Sequence, residues 1–206
     1  MVWLKKHGPS ILINILALLP LLWLVADFAL DRLSADPIRD IQLRTGLYAI
    51  ILLVVSLAST PFYRLLRFTW LLSLRRLAGL YGFTYTGLHL LNFLWLDYDF
   101  NLTYLRQDIL GKPYIIVGLV SFILLIPLAI TSSKGWQRRL GKRWKLLHRL
   151  VYPAALLAAI HFIWLVKIDT RLPVVFTVII ITLLLVRLPF ISRLLQRPRH
   201  KSPTPG

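Results

Sequence analysis

Three histidines, His89, His148 and His161, lie within or at the edge of apolar stretches long enough to sit in lipid. A polar ring there is costly and marks function by default. In such surroundings the neutral imidazole is the stable form, and it is the neutral ring that offers a lone pair to a metal. A single histidine of this kind reads as hydrogen-bonded to a neighbouring helix, whereas three of them on two helices point to a cofactor. His7 and His200 stand in basic terminal segments and read as solvated.

The other side chains narrow the choice of cofactor. The chain has no cysteine, which excludes disulfides, thiolate-held iron–sulfur clusters, thiol nucleophiles and zinc sites built on Cys. Zinc or di-iron centres ask for three or more converging ligands, usually with carboxylates. This sequence has no glutamate, and its eight aspartates all fall in segments assigned to one side of the bilayer. Two opposed imidazoles suit a six-coordinate haem iron. An iron held on both faces has no vacant position, so it passes electrons and does not bind oxygen or substrate.

The elements that must hold such a pair follow from hydropathy. Six apolar runs, at about 9–30, 46–61, 77–96, 113–131, 147–166 and 173–190, approach the ~20 residues that cross roughly 30 Å of hydrocarbon. The expected fold is an all-α integral membrane protein, a six-transmembrane-helix bundle forming a single domain over residues 1–206. His89 follows Arg76 by 13 residues and His161 follows Arg149 by 12, so at about 1.5 Å per residue both stand near 20 Å from the basic edge. His148 sits at that edge, where the third run offers Arg75 and Arg76 instead. Thirteen steps place His148 and His161 roughly 140° apart on an ideal helix, with Pro153 between them to kink it. Residues three and seven before each deep histidine share its helical face. These are Thr86 and Gly82 on the third run and Ala158 and Ala154 on the fifth, small side chains that leave a slot for a porphyrin or simply let helices pack closely.

Charge sets the orientation. Of 25 basic residues, 18 fall in segments that lie inside if the N-terminus does: Lys5 and Lys6; Arg64, Arg67, Arg75 and Arg76; seven from Lys134 to Arg149; five from Arg187 to Lys201. All aspartates fall on the other side, giving an N-in, C-in topology. The net charge of +17 serves topology and anionic membrane lipid, not nucleic acid. The stretch 62–76 alternates arginine with apolar residues and is expected to lie in the interface. The basic loop 132–145 reads either as a site for an anionic cofactor or an acidic partner surface, or as a solvated positive-inside loop. The first run is too long for a signal peptide, the tail 196–206 reads as disordered, and no internal repeat is evident.

Four stretches, ADPIRDIQLRTG at 35–46, RRLAGLYGFTYTGLHL at 75–90, TSSKGWQRRLGKRWKLLHRLVY at 131–152 and HFIWLVK at 161–167, resemble the MsrQ (YedZ) family within the wider ferric reductase-like transmembrane group. These are the haem-binding membrane subunits of a periplasmic methionine sulfoxide reductase system. The resemblance covers nearly the whole chain. It implies b-type haem (heme b) with FMN also attributed to the family, the family's histidines matching His89, His148 and His161. It implies electron delivery from a cytoplasmic flavin reductase or the quinone pool to a periplasmic molybdopterin-containing partner that reduces methionine sulfoxide, so that the chain is an oxidoreductase subunit with no catalytic residue of its own. From the residues alone, His89 and His161 are the expected axial pair. His148 is a second candidate for metal, flavin or quinone. The rival readings are a cytochrome b of another ferric or quinone reductase pathway, and a small transporter whose histidines relay protons.

Overall fold

The computed structural model describes residues 2–187, with side chains from Gly8 onward. The tail 196–206, His200, the His7 side chain and the end of the sixth apolar run lie outside these residues. The helices are α1 Val2–Ala29, α2 Pro37–Leu66, α3 Trp70–Asn92, α4 Leu102–Gly111, α5 Pro113–Ile130, α6 Lys134–Leu140, α7 Lys142–Leu147, α8 Val151–Leu165 and α9 Arg171–Leu185. A π turn, Phe93–Asp97, extends α3, and a 3₁₀ turn, His148–Leu150, joins α7 to α8.

Two helix pairs make the body. α3 packs along α2 and α8 along α5, while α1 lies on α3 and α9 on α8. Their meeting point is a core of Leu53, Leu57, Leu125, Leu128, Ala154, Ala155, Ala159 and Ile180. Leu12, Leu16 and Trp23 on α1, Ile116 and Ile123 on α5, and Val174 and Val178 on α9 point outward, the pattern of helices solvated by lipid, whose backbone groups must all be satisfied internally.

Four stretches, Gly8–Ala29, Pro37–Leu66, Pro113–Ile130 and Lys142–Leu165, are long and apolar enough to cross a membrane. α9 is apolar over 15 residues. α3 has 23 residues but carries Arg75, Arg76, two tyrosines and two threonines in its middle, His89 and Asn92, and is more polar.

The second helix begins well before the apolar run at 46–61. Asp36 accepts the amide of Arg39 and Pro37 takes the first helical position, a start that needs no donor from proline. The polar first turns are then held by Arg44, which reaches back one turn to Asp40 (Nε–Oδ1 2.8 Å) and across to Asp27 on α1 (2.6 Å). The stretch 62–76 is not one interfacial segment. Residues through Leu66 complete α2, Arg67 turns the chain at φ 61°, and Trp70 opens α3. Ser56 then donates to the Arg75 carbonyl, 2.8 Å, docking the start of α3 back on α2. Between the π turn and α5, α4 is a helix that hydropathy did not reveal, started by Asn101, whose side chain accepts the amides of Thr103 and Tyr104. Pro153 lacks the amide that would bond back to Arg149, and the backbone tightens to 3₁₀ just upstream of it.

Candidate functional site

α3 and α8 bring two of the three histidines together. The ring centres of His89 and His161 are 6.1 Å apart with their planes at 90°. His89 Nδ1 is 2.9 Å from the Gln42 carbonyl on α2, and His161 Nδ1 is 2.7 Å from the Tyr114 carbonyl on α5. A carbonyl only accepts, so both Nδ1 atoms carry the proton and both Nε2 atoms keep the lone pair. Hydrogen bonding of the second nitrogen to backbone is how a metal-ligating imidazole is fixed in tautomer and orientation. Around His89 the polar chain continues: the Gln42 amide nitrogen stands 3.2 Å from Nε2, and Asn92 donates to the Gln42 side-chain oxygen at 2.6 Å and to the Ile38 carbonyl at 3.2 Å.

The third histidine stands apart from this pair. His148 is stacked against Trp144, 4.0 Å between centres, and its Nε2 is 3.1 Å from the Thr131 hydroxyl. That hydroxyl donates its one proton to the Pro127 carbonyl, so His148 donates from Nε2, the opposite tautomer from the deep pair. Its neighbourhood is a cleft of about 860 Å³ lined by Arg75, Arg76, Lys134, Lys145, Arg149 and Arg187, with Tyr152 on the wall and no carboxylate among its described lining residues. Arg187 lies over the Tyr152 ring at 5.5 Å and donates to the Leu57 carbonyl, and its Nε is buried with no partner among the described residues.

Two of the four small residues, Gly82 and Ala154, serve helix packing. A Cβ on Gly82 would meet the α2 backbone, 3.4 Å from the Leu53 nitrogen and 3.5 Å from the Ala49 oxygen, so Gly82 serves the α2–α3 contact. Ala154 is fully buried, and Ser121 on α5 donates to its carbonyl at 2.8 Å. Thr86 donates to the Gly82 carbonyl within its own helix, and Ala158 packs at the edge of the core. Towards the basic end, Phe83 and Phe122 stack face to face at 5.4 Å.

The ring separation is compatible with two imidazoles on one metal ion. An imidazole–metal bond of about 2 Å on each side, with the ring centre about 1 Å further out, sets two opposed rings about 6 Å apart, against 6.1 Å here. No group of three or more His, Cys, Asp or Glu that could hold a metal ion occurs among the described residues.

The profile of the ferric reductase like transmembrane component matches residues 45–159, which contain α3, α5 and α8 as far as Ala159, two residues short of His161. A protein of Xanthomonas campestris pv. campestris (strain 8004), named protein-methionine-sulfoxide reductase heme-binding subunit MsrQ, is 43% identical over 185 residues, 89% of this chain and 85% of its own. The chain belongs to the MsrQ family. Relatives of the same name in Xanthomonas axonopodis pv. citri (strain 306) and Herminiimonas arsenicoxydans are 46% identical over 79% of this chain and 45% over 84%, spanning 74% and 81% of their own lengths.

Within this MsrQ-family chain, Gln42 and Tyr114 escaped the sequence reading because their function is carried by main-chain oxygens, which no side-chain motif reports. Their spacing does carry a signal, and it corrects the reading that the chain lacks an internal repeat. Each carbonyl lies 47 positions before its histidine, and Gln42, Gly46 and His89 recur as Tyr114, Gly118 and His161, each 72 residues further on. The segments GLYAIILL from Gly46 and GLVSFILL from Gly118 share five of eight residues, too few to stand out in a chain so rich in leucine and isoleucine. Arg76 occupies the repeat position of His148, so the second level pairs a base with a histidine.

Proposed function

We propose that this chain is a b-type cytochrome membrane subunit that passes electrons to a methionine sulfoxide reductase partner. The observation that carries the reading is the His89–His161 pair, two Nε2 lone pairs on rings 6.1 Å apart with both Nδ1 atoms held by backbone carbonyls. Haem b, when bound, accepts and returns one electron. In this proposal His89 and His161 would hold its iron, Thr86 and Ala158, one turn before each, would border it, and Gly82 and Ala154 would set the helix packing behind it. The names of the relatives support haem and the reductase system; the donor geometry independently supports haem alone.

The direction of flow in this reading runs from the cytoplasmic side or the quinone pool to a periplasmic molybdopterin-containing reductase, across the bacterial inner membrane, with six crossings and both termini cytoplasmic. The basic cleft beside His148 is the place for the donor side. Its arginines and lysines offer charge to a phosphate or carboxylate and Trp144 and Tyr152 offer flat surfaces, which suits FMN, a flavin-bearing donor or a quinone. The aspartate-rich face, where Asp27, Asp40, Asp97 and Asp108 gather, is the exit side towards the partner.

The first test is a dithionite-reduced minus oxidised spectrum of the purified protein together with haem stoichiometry. A b-type α-band at stoichiometric haem is expected. Its absence from protein expressed with ample haem would remove the cytochrome reading and leave proton relay by the histidines.

A further inference from the structure

The carbonyls of Gln42 and Tyr114 are each followed, one helical turn on, by a glycine, and the histidine ring lies across that glycine. A Cβ on Gly46 would come 3.0 Å from both Nδ1 and Cε1 of His89. On Gly118 it would come 2.6 Å from Nδ1, 2.9 Å from Cε1 and 3.2 Å from Cγ of His161. Carbon atoms at optimal contact stand about 3.5–4.0 Å apart, so no other residue fits at either position unless the ring or the helix moves. Gly87, two residues before His89, is the contrast: its Cβ would meet nothing within 4 Å.

Neither glycine is needed for a turn, since both stand inside helices and neither has positive φ. A glycine costs an interior helical position roughly 0.5–1 kcal/mol relative to alanine. What each glycine gives is bare backbone, over which an imidazole from the neighbouring helix can reach the carbonyl one turn earlier. The arrangement occurs twice at identical spacing, once for each histidine of the pair, and not at His148, whose ring partner is the Thr131 hydroxyl.

We infer that Gly46 and Gly118 are matched positioning residues for the iron ligands, each letting its histidine lie on bare helix so that Nδ1 is spent on the backbone and Nε2 faces the shared centre. This rests on the haem reading above. The two seats fix the angle between the ring planes as well as their separation, and in ferric low-spin haem that angle sets the spread of the electron paramagnetic resonance g-values.

The experiment compares the full-length chain with Gly118→Ala, Gly46→Ala, Gly87→Ala and His161→Ala in membranes at matched protein levels, reading haem per protein, spin state and g-values. Gly118→Ala, with the closer approach, should lose most of its low-spin signal. Gly46→Ala should insert normally and keep haem, with a shifted g-value spread. Gly87→Ala should match the parent. Low-spin haem at parental level with parental g-values in both Gly46→Ala and Gly118→Ala, while His161→Ala loses the signal, would overturn the seats and leave the haem reading intact. Full low-spin haem in His161→Ala would instead sink the haem reading itself. Should Gly118→Ala fail to accumulate, Gly46→Ala alone decides: an unchanged spread at unchanged haem content overturns the inference.

Discussion

His89 and His161 face one another at 6.1 Å although each stands on a helix packed mainly against a different neighbour, α3 on α2 and α8 on α5. The pair is thus made where two helix pairs meet, and each ring is oriented by its own pair. Replacing either histidine by alanine removes one of two iron bonds in the proposed cytochrome, so haem should be lost or become high-spin. His148 lies about 20 Å further along the helix axis at about 1.5 Å per residue and donates from Nε2 to Thr131. His148→Ala should leave the low-spin spectrum of the deep site and slow its reduction from the cytoplasmic side. Haem stoichiometry and spin state in the three variants check the pairing; loss of the low-spin spectrum in His148→Ala with its retention in His161→Ala would overturn it.

That His89 and His161 stand at one level was legible in the sequence, because helical rise converts residue counts from Arg76 and Arg149 into matching heights. What surrounds the pair was less legible. A helical face says which residues are small but not which neighbour they meet, and Gly82 and Ala154 turned out to face α2 and α5. The two backbone carbonyls left no side-chain signature. α4 was hidden because its start depends on the Asn101 cap and not on apolar periodicity.

Gly82→Leu should act through the α2–α3 contact. With α2 backbone atoms 3.4–3.5 Å from the position of its Cβ, a leucine must push the helices apart, an overpacking that typically costs about 1–3 kcal/mol. Thermal stability in detergent should fall, and haem content should fall with it. A drop in haem at parental stability would show that Gly82 borders the cofactor after all.

Gln42→Leu separates the main-chain and side-chain contributions of one residue. The carbonyl that holds His89 Nδ1 survives, but the Asn92 amide, 4% exposed, loses its 2.6 Å partner and keeps only the Ile38 carbonyl at 3.2 Å, while its Oδ1 has no partner among the described residues. Leaving a buried polar group unsatisfied costs about 1–3 kcal/mol. The variant should melt earlier yet keep its low-spin haem, measured as haem per protein before and after heating. Complete haem loss at unchanged melting would contradict this division.

The outer helix α4 should respond to acid. The Lys112 ammonium and then the Tyr98 hydroxyl, both bonded to Asp108, hold its carboxyl below the ordinary carboxylate range, and Asp108 in turn holds the Lys112 ammonium above its own. A depressed carboxyl contributes stability above its unfolded pKa of 3.8 and loses it as pH falls through the folded value. A raised ammonium contributes below 10.5 and loses it as pH rises through the folded value. The tie should therefore be intact from about pH 5 to 9. Amide protection in α4, corrected for intrinsic exchange, should be flat across that window and decline below it. Asp108→Asn should show lower protection and no acid-side decline.

Topology rests on the separation of charge: every aspartate lies at the end of the bundle where Arg44 ties Asp27 to Asp40, and the cleft at the other end is lined with bases. In the proposed topology the bases on the short loops stay inside, with the cleft in the cytoplasm and α4 outside. Four apolar crossings and six give the same side for both termini, so the ends alone do not separate them. Fusions of a phosphatase active only in the periplasm do, because each counts the crossings before it. After Gly111 the reporter should be active, which requires α3 to cross despite its arginines. After Lys134 it should be silent, after Lys167 active again, and after Gly206 silent, which requires the 15-residue α9 to cross. Silence after Gly111 would remove α3 from the membrane and with it the common depth of His89 and His161.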